Sequence, residues 1–195
     1  MFKFTTQKLV RAGIIAALYT AVTYALAPYA YGPFQIRPAE ALCLLPLFYI
    51  EAVPGLFVGC ALANLFSQFG IYDIVFGSLT TLIAATLTFV IGRVFKENLL
   101  SAIIGGIFPV LLNAVGIPLI IVLTGAGWEA YFALFGEFML TQTVWVYGLG
   151  IPLYFAIIRL RKHTRFLQSD DYAAKLAAES DNTEEKQAEK DRVVD

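Results

Sequence analysis

Charge is what this sequence has least of. Lys, Arg, Asp and Glu make up 15% of its 195 residues, where soluble domains carry about a quarter. The charge present gathers at the ends. Thirteen charged residues fall within 166–195, whereas between Arg11 and Arg159 there are nine: Arg37, Glu40, Glu51, Asp73, Arg93, Lys96, Glu97, Glu129 and Glu137. So few charges cannot cover the surface of a water-soluble globule. A soluble enzyme and a nucleic-acid binder are excluded. Cysteine is scarce too: Cys43 and Cys60 sit in apolar runs, with no C-x-x-C pattern. This excludes a disulfide scaffold and gives no support to a structural zinc site. There is no G-x-x-x-x-G-K-[ST] loop, so the chain has no P-loop with which to hydrolyse ATP. There is no H-E-x-x-H, and the one histidine, His163, lies beyond the last apolar run. No nucleophile–base or metal constellation remains, so no catalytic and no metal residues are expected.

What is abundant is apolar. Hydrophobic residues are 58% of the chain and the mean hydropathy is +0.70. A membrane helix needs about 20 such residues. Clear runs lie at about 12–30, 74–93, 99–124 and 131–158. The run 41–66 is interrupted by Glu51 and Pro54-Gly55. Read as one helix, it puts a carboxylate and a helix break at mid-membrane. Read as two, it puts Glu51 in a turn, able to cap the next helix, with Pro54 in that helix's first turn.

Charge parity favours two helices. Lys3, Lys8 and Arg11 precede the first run, and Arg159, Arg161, Lys162 and Arg165 follow the last. Basic flanks stay in the cytoplasm, so both ends inside needs an even number of spans. The expected fold is therefore an all-α membrane bundle of six helices with cytoplasmic termini. The spans are about 10–30, 36–50, 53–69, 73–94, 99–124 and 130–158 within a domain 1–165. A competing reading takes Ala25-Leu26-Ala27 as a signal cleavage site, leaving five spans. Residues 166–195 are acidic and poor in bulky apolar side chains, and read as a disordered cytoplasmic tail with some helix near Asp171–Ala178.

Polar groups at membrane depth are unfavourable and mark a site by default. In the six-span reading most fall in the outer half: Arg37 and Glu40, Asn64 and Gln68 at i and i+4, Asp73, and Glu137 with Thr141 and Trp145 on its face. Asn113 lies near mid-membrane, and Gln142 deeper than Glu137. An outward-facing ligand cavity is expected. Each residue also has a plainer use: Arg37 with Glu40 as an interfacial pair, the amides between helices, Asp73 as a cap. On the first helix Ala12, Ala16, Ala17, Ala21 and Ala25 form a small-residue stripe, and Gly55-x-x-x-Gly59 does the same on the third. Such stripes let helices approach closely, within the bundle or against another subunit.

Three segments resemble one family. Arg37-Pro-Ala-Glu-Ala-Leu42, Pro54-Gly-Leu-Phe-Val-Gly-Cys-Ala-Leu-Ala-Asn-Leu65 and Asp73-Ile-Val-Phe-Gly-Ser-Leu79 are similar to the QueT family. Its members are substrate-binding S components of bacterial energy-coupling factor (ECF) transporters. The resemblance covers about 1–165. It implies a bacterial cell-membrane protein that takes up queuosine precursors, the 7-deazaguanine bases. It also implies partners: a transmembrane coupling subunit and two ATPase subunits, which use ATP while this chain holds no cofactor. By position, Ala12, Ala16, Ala17, Ala21 and Ala25 would dock on the coupling subunit. ATP hydrolysis would then topple the loaded subunit across the membrane.

Ligand chemistry assigns expected roles. A deazaguanine edge offers adjacent N–H donors to a carboxylate, here Glu137 first. Asn113, Asn64 and Gln68 are amide candidates for its carbonyl, and Trp145 a ring for its face. An aminomethyl substituent adds a cation, for which Glu40 and Asp73 are candidates. A self-sufficient secondary transporter for a base or vitamin is the alternative, and a non-transport subunit a third reading. The sparse inner half and the lack of an obvious inverted repeat weigh against the secondary transporter.

Overall fold

The computed structural model describes residues 5–31, 35–95, 98–169, 172–174, 176 and 178. All regular elements among them are helical. The chain forms two compact units, Met1–Ala156 and Ile157–Asp195. The first begins with α1 (Thr6–Ala25) and the short α2 (Ala27–Ala30), then a 3-10 helix over Pro38–Leu47. Next come α3 (Ala52–Ala63), a 3-10 turn Asn64–Phe66, and a π-helical turn Asp73–Gly77 leading into α4 (Ser78–Phe95). After α5 (Leu99–Ile121) and α6 (Tyr131–Thr143), a π-helical turn Val144–Leu149 leads into α7 (Gly150–Leu160), whose last residues belong to the second unit. In that unit the Arg161 guanidinium lies 4.1 Å from the Tyr172 ring centroid. Residues 172–174 are helical, while most of the acidic tail expected to be disordered lies outside the described residues, as do Lys96 and Glu97.

The run 41–66 is two segments, not one. Glu51 lies in the turn between them, at the N-cap position of α3 as the two-helix reading has it, not at mid-helix, but its side chain makes no capping hydrogen bond, which corrects that part of the expectation. Its carboxylate lies 3.0 Å from Arg11 Nε, with both side chains buried. The same guanidinium sits 5.0 Å from the Tyr49 ring centroid. A buried charge needs such a partner, because removing either one leaves the other without solvent or counter-charge.

Contacts fix the direction of each segment. Arg11 meets Glu51, Ala12 meets Gly55, Ala16 meets Gly59, and Tyr24 meets Leu62, so α1 and α3 run parallel and in register. The Pro38–Leu47 helix returns between them: Glu40 bonds Asn113, while Leu47 abuts Gly92 and Gly105. Then α4 and α5 run antiparallel, joined by Thr88 Oγ1 donating to Gly105 O at 2.9 Å. The last pair, α6 and α7, descends past α5, with Tyr147 OH donating to Ile103 O and Tyr154 OH to Asn98 O. Among the described residues of the first unit, six helical segments thus alternate in direction.

Three of these are long and apolar enough to cross a membrane: Asp73–Phe95, Leu99–Ala126 and Trp128–Leu160. Pro38–Leu47 and Ala52–Phe66 are apolar but shorter. Large apolar side chains such as Ile83, Val90, Leu111, Val115 and Leu140 point outward. Water would solvate that surface poorly and lipid solvates it well. The Pro38–Leu47 helix is the exception. Almost all its side chains are buried, with α1, α3, α4, α5 and the Val144–Leu149 turn around it.

Small residues set the spacing. A Cβ on Gly55 would lie 2.8 Å from Ala12 O, and one on Gly59 3.0 Å from Ala16 O. Ala12 and Ala16 are therefore taken up inside the bundle, whereas Ala17, Ala21 and Ala25 are exposed. The expected five-alanine face is corrected to those three. Tyrosines close the far end of this contact. Tyr24 OH donates to Leu62 O and Tyr31 OH to Ala63 O, carbonyls at the C-terminal end of α3.

The tightest backbone approach is at Gly92, where a Cβ would lie 2.5 Å from Leu47 O, while Gly13 has nothing within 4 Å. Gly92→Ala is expected to destabilise by about 1–3 kcal/mol through overpacking. Gly13→Ala should be neutral or stabilising by up to about 1 kcal/mol through helix propensity. Thermal unfolding in detergent checks both; equal melting temperatures would refute the close approach.

Candidate functional site

Several buried polar side chains from different helices converge on one cluster, and Glu40 is its centre. Glu40 is 1% exposed. Tyr19 OH donates to its Oε1 at 2.7 Å, Cys43 Sγ to its Oε2 at 3.2 Å, and Asn113 Nδ2 to Oε2 at 3.4 Å. Arg37 Nε lies 3.9 Å from Oε1. Three segments therefore supply the surroundings of one carboxylate: α1, the 3-10 helix with its first flanking residue, and α5. Three-residue spacing explains part of this: in a 3-10 helix residues i and i+3 eclipse, so Glu40 and Cys43 lie one above the other, with Arg37 just before the first turn.

Two branches extend from this centre. Toward α6, Asn113 Nδ2 also donates to Gln142 Oε1 at 3.4 Å. Toward α3 and α4, Arg37 Nη2 donates to Asn64 Oδ1 at 3.0 Å, and Asn64 Nδ2 donates to Asp73 O at 2.9 Å. Cys60 Sγ accepts from Asn64 and from Thr81 Oγ1, at 3.5 and 3.3 Å. Asn64 is wholly buried and Asp73 is 4% exposed. Low dielectric strengthens each of these bonds and makes each unpaired group expensive.

Of the residues expected at a ligand site, Glu40, Asn64, Asp73 and Asn113 come together here. Glu137, Gln68 and Trp145 do not join this hydrogen-bonded cluster. Glu137 is half-buried on α6, with Oε1 lacking a hydrogen-bond partner among the described residues. Its neighbour Phe138 packs with Ala114, Ile117 and Ile120 in an apolar patch. Trp145 is partly exposed in the π-helical turn that follows α6. Gln68 does not share a helix face with Asn64, because α3 ends at Ala63 and the backbone becomes extended at Ser67. Its amide instead donates to Tyr31 O at 2.6 Å. Asp73 makes no side-chain cap to its helix.

Tyr19, Cys43, Cys60, Thr81 and Gln142 were not among those expected. Gln142 was legible as the one amide inside the last apolar run. Tyr19 was not: it looks like any interfacial aromatic until its face, shared with Arg11, Ile15, Ala16 and Thr23, is seen to point inward. The arrangement holds acceptors and donors of both signs in a dry interior. It suits binding of a polar planar molecule, and no group of three or more His, Cys, Asp or Glu side chains that could hold a metal ion occurs among the described residues.

A family model described as QueT transporter matches residues 9–159, which includes every member of the cluster. No curated protein and no solved structure matches the chain. The matched span, the long apolar helices and the buried polar cluster agree in kind: the chain belongs to the QueT transporter family, a family of transporters rather than of enzymes, and is a membrane transporter protein for a small molecule.

Proposed function

We propose that this chain is the substrate-binding membrane subunit of a bacterial ECF-type importer, and that the cluster around Glu40 binds a queuosine precursor, a 7-deazaguanine base. Its termini lie in the cytoplasm, and the Arg37–Asn64–Asp73 end of the cluster faces outward. A transmembrane coupling subunit and two ATPase subunits supply the ATP-driven step.

The observation that carries this reading is the set Glu40, Asn113 and Gln142 held at one level of the bundle. A guanine-type edge needs a carboxylate for its paired N–H donors and an amide for its carbonyl. The two bonds from Asn113, both 3.4 Å, are the longest nitrogen-to-oxygen hydrogen bonds in the cluster and the easiest to exchange for bonds to a ligand. Exposed Ala17, Ala21 and Ala25 leave a smooth strip on α1 for a coupling subunit.

Binding of 7-deazaguanines to the purified protein, measured calorimetrically in detergent, tests the substrate. Glu40→Gln should weaken binding at least tenfold, and Glu137→Gln by less if the edge carboxylate is Glu40. The reverse order would move the edge site to Glu137. Uptake into proteoliposomes without ATPase subunits would replace this reading with a secondary transporter.

Ala17→Trp and Ala21→Trp should abolish co-purification of the coupling subunit while sparing ligand affinity. Normal co-purification would remove α1 from the docking surface.

A further inference from the structure

The buried charges of the cluster do not balance. Arg37 and Glu40 stand 3.9 Å apart and offset one another. Arg11 and Glu51 form a separate pair, set about a helix length away, since Glu51 precedes α3 and Asn64 follows it. Asp73 is left over. Its main-chain carbonyl is used by Asn64, but side-chain Oδ1 is buried and has no hydrogen-bond partner among the described residues. An unpaired ionised carboxylate at such a place is strongly unfavourable unless something positive arrives.

Local geometry turns that oxygen inward. Gly77 stands one helical turn after Asp73, and a Cβ there would lie 2.9 Å from Asp73 Oδ1 and 2.8 Å from Asn64 Nδ2. The missing side chain lets the Asp73 carboxylate and the Asn64 amide lie side by side over the glycine. The other carboxylate named for a cation, Glu40, already accepts from Tyr19, Cys43 and Asn113. Among the described residues, Asp73 alone is a carboxylate that combines near-complete burial, an unmet acceptor and no counter-charge bonded to it.

We infer that Asp73 is the charge-selecting residue of the site, and that the transported ligand is a monocation whose ammonium group pairs with Asp73 Oδ1. This rests on reading the cluster as the ligand site. The heterocycle lies toward Glu40, Asn113 and Gln142, and the ammonium reaches the Asn64–Asp73 branch. Charge selection then follows from the sum of Arg37, Glu40 and Asp73, which is one net negative charge and so one positive charge short of neutrality. A neutral ligand leaves that charge buried and unpaired.

The test compares two bases with the same ring: 7-aminomethyl-7-deazaguanine, a cation, and 7-cyano-7-deazaguanine, which is neutral. The wild-type protein should bind the aminomethyl base at least tenfold tighter. Asp73→Asn should weaken the aminomethyl base at least tenfold, leave the cyano base within about twofold, and bring the ratio near one. Asp73→Glu should retain a preference for the cation. Equal wild-type affinities, a preference for the nitrile, or a uniform loss of both in Asp73→Asn would overturn the inference. So would loss of selectivity in Glu137→Gln instead. A lower melting temperature for Asp73→Asn with unchanged selectivity would reduce Asp73 to a structural role. The wild-type comparison needs no variant, so a misfolded mutant does not rescue the idea. If neither base binds, the deazaguanine reading fails. Pyridoxamine against pyridoxine, an amine beside its alcohol, then tests charge alone, and failure of the amine to bind counts against Asp73 as well.

Discussion

A carboxylate with 1% of its surface exposed has to be satisfied in place, and much of this bundle is arranged around that requirement. Glu40 draws a hydroxyl from α1, a thiol from its own helix and an amide from α5, with a guanidinium nearby. None of those groups reaches it unless its helix is packed in register. The polar centre therefore specifies the bundle, while lipid-facing Leu, Ile and Val supply solubility in the membrane but little discrimination between neighbouring registers. Buried amides and charges have that specifying effect in some proteins, since a slip of one turn strands them without partners.

Two contact chemistries divide the length of the α1–α3 pair. An ion pair holds one end, Arg11 with Glu51. Glycine–alanine contacts fill the middle, and tyrosine hydroxyls on the carbonyls of Leu62 and Ala63 hold the other end. Between helices in lipid, where the hydrophobic effect gives no drive to associate, close van der Waals contact and hydrogen bonds do the joining. The alanines on the opposite side of α1 take no part in it.

The sequence made the segments legible because apolar runs and their breaks are one-dimensional signals. Pro54-Gly55 and the basic flanks were enough to separate 36–50 from 53–69. Four members of the buried cluster, Glu40, Asn64, Asp73 and Asn113, were visible because a polar group in an apolar run is rare. Rank among them was not visible. Glu137 looked more isolated than Glu40 along the chain, yet Glu40 is the one deeply buried, because burial depends on what other segments bring. Gln68 was misplaced because a helical period was carried past Ala63, where the helix stops. The alanine stripe held two faces of one helix, and its spacing could not tell which face met α3. Tyr19 and the two cysteines carry no pattern of their own; only the cross-helix geometry gives them a role.

The helical form of Pro38–Leu47 has a consequence for how the centre is built. Ten residues wound at three per turn span about 20 Å, where an α-helix would span about 15 Å. The same winding stacks Glu40 and Cys43 in a single column. Rewound as an α-helix, the segment would shorten by about 5 Å and swing Cys43 about 60° away from Glu40. The pitch of this one helix thus acts as a ruler and a compass together. A one-residue insertion or deletion within it would turn everything beyond the change by about a third of a revolution, taking Leu47 off Gly92 if Glu40 stayed on Asn113.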